Sequence, residues 1–156
     1  KERYEKHRDK LGPNIVANYE QGLQFTALDI AEGHKAQTRI FRSFQEFFRE
    51  YDILISPTVP VPPFPLEQLY VTHVNGEPLR HYFHWLALTY AITLTGHPSL
   101  SMPCGLEPTG TPFGLQVIGP HRGDLKVLAF AHALEQVLER DPRTARPIPD
   151  LAKLRK

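Results

Sequence analysis

The chain has 156 residues and a mass of 17.8 kDa, the size of one ordinary domain with a sizeable core. Hydrophobic residues make up 41% and charged residues 22%, which excludes a disordered chain. Eighteen Lys and Arg stand against 17 Asp and Glu, so the net charge is +1 and the basic excess expected of a nucleic-acid binder is missing.

Charge spacing organises the chain. Residues 1–52 are dense in charge, whereas 53–66, 81–106 and 108–121 contain no Asp, Glu, Lys or Arg. Ionised side chains are rarely buried unpaired, so these windows read as three passes through a core. The 26-residue middle window is interrupted by His81, His84, Gly96, His97, Pro98 and Pro103. It therefore reads as a buried helix followed by a buried strand, not as a membrane span.

Taken in order, Pro13 to Gln21 predicts a short helix, with proline in its first turn. Thr26 to Tyr51 predicts a long amphipathic helix, because Ile40, Phe44, Phe47, Phe48 and Tyr51 repeat on one face. Ile53 to Ser56 predicts a short strand, its continuous apolar run suiting a parallel strand covered on both faces. Five prolines between 57 and 65 then predict a stiff extended loop that cannot enter a sheet interior. Leu69 to Tyr82 predicts a hairpin turning at Asn75-Gly76, with Pro78 confined to an edge. Phe83 to Thr95 predicts a buried helix closed by Gly96. Ser99 to Met102 and Phe113 to Gly119 predict strands that either pair as a hairpin or lie apart. Leu125 to Arg140 predicts a last helix, capped by Asp124 and stopped by Asp141-Pro142. The order implies an α/β fold with a mixed or parallel sheet. Residues 1–50 form a helical segment, 51–141 the sheet-bearing part, and 142–156 a polar tail.

Few residues offer chemistry. One cysteine, Cys104, excludes an internal disulfide framework and fits a reducing cytoplasm. Cys104 reads as a small apolar packer at a strand end. Ser56 ends a strand but lacks a Gly-x-Ser-x-Gly elbow, and Ser99 and Ser101 share one strand face. His81 and His84 are three apart, whereas the usual helical zinc pair is four apart with a Glu between, so no metal is expected. There is no phosphate-cradling glycine motif. The first residue is Lys1 and Met102 is the single methionine, which suggests a processed chain or a piece of a longer one.

From Tyr51 onward the sequence resembles the C-terminal part of the amidase signature enzymes. Three segments carry the resemblance in the family's order and spacing: YDILISPTVP, TLTGHPSLSMPCG, and TPFGLQVIGP with the helix after Asp124. Thr93 departs from the pattern, where Asn before Leu is common. The acidic, tyrosine-containing segment of tRNA-dependent amidotransferase subunits is replaced by HYFHWLALTYA, which favours a free-standing amidase.

The resemblance implies part of an α/β/α sandwich with a mixed sheet, hydrolysing a carboxylic amide through an acyl-serine. It implies a Ser–cis-Ser–Lys triad in an earlier Gly/Ser-rich segment. Nothing here matches that triad, so no catalytic residue is carried over and these residues alone are expected to be inactive. The partners implied are the triad-bearing N-terminal part of the protein and a small-molecule amide, with no cofactor, nucleic acid or membrane. An incomplete sheet would expose an edge and favour a homo-oligomer. The loop leaving the first strand is the candidate pocket wall, since ligands in α/β sheets bind where strands end. Thr58, Val59 and Phe64, with Trp85 behind them, are the candidate substrate-pocket residues. The alternative is a non-catalytic interaction module that has lost hydrolase activity.

Overall fold

The structure, a computed structural model, describes residues 1–154. The chain divides into two compact units, Lys1–Arg39 and Ile40–Lys156. In the first unit, α1 (Glu2–His7) and α2 (Pro13–Gly22) are joined through Tyr4 stacked on Tyr19 at 3.8 Å and Arg8 paired with Glu20 at 3.0 Å. The long helix α3 (Ala27–Glu50) begins in this unit. Its start is a reciprocal cap. The Asp29 N–H donates to Thr26 Oγ1 at 3.2 Å, and the Thr26 N–H donates to Asp29 Oδ2 at 2.8 Å. Those bonds satisfy two donors that a helix start leaves orphaned, and the Thr26 hydroxyl, donating to Asp29 Oδ2 at 2.6 Å, with the Thr26 N–H holds the Asp29 carboxyl below its ordinary pKa.

The second unit is built on a three-stranded sheet of order β1 (Leu54–Pro57), β5 (Pro112–Ile118), β4 (Ser99–Leu106). Both pairings are antiparallel. The parallel pairing expected of the Ile53–Ser56 run is therefore not what this chain shows. β1 is an outer strand here, with Ile55 43% exposed, while β5 takes the centre and buries Gln116, Val117 and Ile118. β4 and β5 pair directly, which resolves the choice between hairpin and separate strands. Their register shifts between Pro103 and Leu106. Gly105 sits in that bulge at φ +64°, and a Cβ there would lie 1.9 Å from the Arg143 carbonyl oxygen. Only glycine satisfies both demands.

α5 (Asp124–Leu138) lies across one sheet face. Met102, Val117, Val127 and Ala131 form the buried core there, with Ile53, Leu100, Leu115 and Leu134 packed around it. Gly119 permits the approach, since a Cβ would meet Val127 Cγ2 at 2.4 Å. Asp124 does not cap the helix as expected. Gly123 occupies the cap position without a side-chain bond, and Asp124 stands in the first turn, where its charge suits the helix dipole.

The remaining elements follow the punctuation closely. β2 (His73–Val74) and β3 (Glu77–Pro78) pair around Asn75 and Gly76, both at positive φ (51° and 81°). The predicted helix from Phe83 starts later: His84–Leu86 is a 3-10 turn and α4 runs Ala87–Thr95, closed by Gly96 at φ 63°. The aromatic stripe of α3 presents Phe41, Phe44 and Phe48 to His97, at centroid distances of 5.6, 5.4 and 5.3 Å. Tyr51 falls outside the helix, stays 55% exposed and stacks on Phe47.

Candidate substrate cleft

The proline-rich loop is fixed at its root before it leaves the sheet. The Thr58 N–H donates to the Gly114 carbonyl at 3.0 Å, extending the β1–β5 ladder by one bond. Thr58 Oγ1 lies 3.0 Å from Ser101 Oγ on β4, so the side chain reaches across β5. It can do so because Gly114 carries no Cβ, which would sit 3.1 Å from Thr58 Oγ1. From there Pro60, Pro62 and Pro63 hold the chain extended with few backbone donors to satisfy.

This loop walls a cleft of about 540 Å³. Val59, Phe64, Trp85 and Phe113 supply its large apolar side chains, Gly114 opens its sheet side, and Glu107 is its one ionisable residue. Phe64 and Trp85 meet edge to face, with ring centroids 5.5 Å apart and planes at 83°. That geometry pairs the positive edge of one ring with the negative face of the other. Of the four residues singled out from sequence, Val59, Phe64 and Trp85 border the cleft. Thr58 does not; it serves as the tie between loop and sheet.

Two residues that matter to this region escaped sequence reading. Gln116 is 5% exposed and donates from Nε2 to the Leu88 carbonyl at 3.1 Å and to Ser56 Oγ at 3.3 Å. One amide thus joins β5 to β1 and to α4, the helix that follows Trp85. Glu107, at the β4–β5 connection, accepts the N–H groups of Thr109 and Thr111 at 3.1 Å each and both threonine hydroxyls. Those donors hold its carboxyl down to about pKa 2, the Thr109 hydroxyl foremost. The signal was present as Glu-Pro-Thr-Gly-Thr, an acceptor followed by two hydroxyl residues around a turn.

The other reactive-looking groups are quiet. Cys104 is half-buried, and burial pushes its thiol above the ordinary pKa, away from the thiolate a nucleophile needs. His81 and His84 contact at 5.0 Å, but among the described residues no group of three His, Cys, Asp or Glu could hold a metal ion. Among them, too, no helix is long and apolar enough to cross a membrane.

A prolyl loop leaving one strand, a Gln-bearing central strand and a helix packed through a glycine make up an α/β core with a cleft at one sheet edge. The Amidase family model matches residues 2–128, and the chain belongs to that family. It is 37% identical over 116 residues to a glutamyl-tRNA(Gln) amidotransferase subunit of Halothermothrix orenii, a match covering 74% of this chain and 22% of that protein. The corresponding subunit of Geobacillus thermodenitrificans is 37% identical over 108 residues, covering 69% of this chain and 21% of that protein. Among solved structures, an amidase aligns with TM-score 0.76 and 28% identity, over 86% of this chain and 30% of that one. A bacterial aryl acylamidase of the amidase signature family aligns with TM-score 0.74 and 27% identity, over 93% and 31%. The chain therefore spans about a fifth of the curated relatives' length and under a third of the solved ones.

Proposed function

We propose that these residues are the C-terminal portion of a free-standing amidase, completing its sheet and walling its substrate cleft. The family match over residues 2–128 and the chain's 22% share of a relative's length support the amidase portion of this reading, and HYFHWLALTYA in place of the acidic, tyrosine-containing amidotransferase segment supports the free-standing part. The reaction is hydrolysis of a carboxylic amide. A serine hydroxyl adds to the carbonyl carbon, the C–N bond breaks as the amine leaves with a proton, and water then releases the acid and restores the serine. The Ser–cis-Ser–Lys triad for these steps has no counterpart in the sequence: Lys35 is the only lysine between Lys10 and Lys126, and no Gly-Gly-Ser-Ser-like run occurs. In this reading Val59, Phe64 and Trp85 contact substrate, Thr58 positions their loop, and the protein works in the cytoplasm.

The test is amide hydrolysis, read as amine or ammonia release. The 156-residue chain should give none above buffer, and the same chain joined to a triad-bearing N-terminal segment should turn over. Turnover by the 156 residues alone would sink the division of labour. Inactivity of the joined protein on a broad amide panel would favour the non-catalytic module. Within this sheet β1 and β4 each pair on one side only. The isolated chain should therefore self-associate through an edge, and a monomeric mass by light scattering would count against that.

A further inference from the structure

The cleft is mostly apolar, and its one ionisable lining residue, Glu107, pairs with no cation among the described residues. Its apolar walls include prolines and the side chains of Val59, Val61, Phe64, Trp85 and Phe113. Its volume falls within the range of small-molecule sites, and its aromatic corner offers both a ring edge and a ring face to a flat guest. Glu107 sits at this lining, and among the described residues its carboxylate accepts hydrogen bonds from Thr109 and Thr111. Among the described residues Glu107 makes no ion pair. Hydroxyl and amide donors stabilise the ionised form but leave its unit negative charge in place. Beside low-dielectric walls, such a charge acts on a guest more strongly than it would in open water.

We propose that the cleft selects its amide by charge, admitting an uncharged aromatic group against Phe64 and Trp85 and rejecting one that bears a carboxylate, with Glu107 as the specificity-determining residue. This rests on the reading of the cleft as a substrate site. Repulsion would act where the substrate's side group lies, so it selects among amides without taking part in bond breaking. The threonine cradle is what makes the selection dependable. It fixes the carboxylate's position with donors from a single turn.

Trp85 is the single tryptophan of the chain, so its emission reports the cleft directly. The probes are benzamide and 4-carbamoylbenzoate, which differ by one carboxylate. Benzamide should shift Trp85 emission saturably, and 4-carbamoylbenzoate should bind roughly 10-fold more weakly at low salt. Glu107→Gln, which keeps an acceptor oxygen for the threonines, should bring the two within about 2-fold, mainly by improving the anionic probe. Raising the salt on the unaltered chain to about 0.5 M should shrink the gap as well, a check that needs no variant to fold. Equal binding of the two probes, a gap that survives both Glu107→Gln and salt, or no benzamide binding would each overturn the proposal. Discrimination retained in a joined protein that hydrolyses no amide would defeat the amidase reading alone; hydrolysis without discrimination would defeat this one alone.

Discussion

Beneath α5, Leu100, Met102, Leu115 and Val117 make one sheet face a dry surface, whereas the opposite face carries Ser56, Gln116 and Ser101 in one cross-strand row. The dry face is held by area and fit, with Gly119 letting Val127 close on the sheet. The polar face is held by a few directed bonds, from Gln116 to α4 and from Thr58 to Ser101. Apolar packing is tolerant of partner and angle, while hydrogen bonds fix both. The cleft-forming loop and the helix behind Trp85 are both tied to the polar face. The core supplies stability, and the polar row sets where the cleft residues stand.

The sharpest way to separate the faces is to damage each once. Met102 is 6% exposed, and Met102→Ala should cost about 2–5 kcal/mol by urea denaturation, through lost transfer energy and a residual cavity. It should leave probe binding in the cleft close to unchanged per folded molecule. Gln116→Leu keeps most of the volume but removes the donor that joins β5 to the Leu88 carbonyl and to Ser56 Oγ, for a loss of about 1–3 kcal/mol. It should also weaken benzamide binding, because α4 loses its tie to the sheet. A Met102→Ala protein with the larger loss of cleft binding would invert the comparison.

How much of this could be read beforehand depends on the range of the determinant. Asn75-Gly76 and Gly96 were legible because their φ demands are local, as was the α3 stripe that meets His97. The three motifs resembling amidases were legible as words and placed the fold. The antiparallel β1–β5 pairing was not, because an apolar run such as Ile53-Leu54-Ile55 states that a strand is covered without naming its neighbour. Nor could sequence decide whether β4 and β5 pair, since the end of β4 holds Gly105 in a bulge and a Pro-Thr-Gly turn follows it. For the cleft, stiffness and hydrophobicity pointed to the proline-rich loop, which lines it. They could not show that Thr58 turns to Ser101 while Val59 and Phe64 face the opening, because that follows from the register with β5.

A third contact combines both chemistries and answers to pH. His97 is 6% exposed among Phe41, Phe44 and Phe48, accepts from Gln45 Nε2 at 3.2 Å, and leaves Nδ1 unpartnered. Burial, and then the neighbouring His121, push its pKa below the ordinary 6.5. The unfolded chain takes up this proton near 6.5 and the folded chain resists it, so acid favours unfolding. The contribution is complete above about pH 6.5 and is lost as pH falls through the lower folded value. Glu107 and Asp141 give a separate, shared loss at lower pH, between their ordinary 4.5 and 3.8 and folded values of about 2. Melting temperature followed against pH should show both phases, and His97→Phe should remove the upper one only. A His97→Phe profile that still falls as pH drops below 6.5 would assign that phase elsewhere.

The smallest expected effect is the most specific to the polar face. Thr58→Val keeps shape and β-branching and removes one hydroxyl from a bond that is not deeply buried, so stability should fall by only about 0.5–1.5 kcal/mol. If that bond positions the loop, the loss should appear mainly in the cleft, as weaker benzamide binding by Trp85 emission and as raised KM with kcat held in a joined, active protein. Thr58→Ser retains the hydroxyl and should restore binding. Ser101→Ala, which removes the other partner, should weaken binding to a similar degree, and adding it to Thr58→Val should cost little more because both remove the same interaction. Additive losses from the two substitutions would mean that Thr58 and Ser101 act on the cleft separately, and the polar row would then be a set of independent contacts and not a frame for the loop.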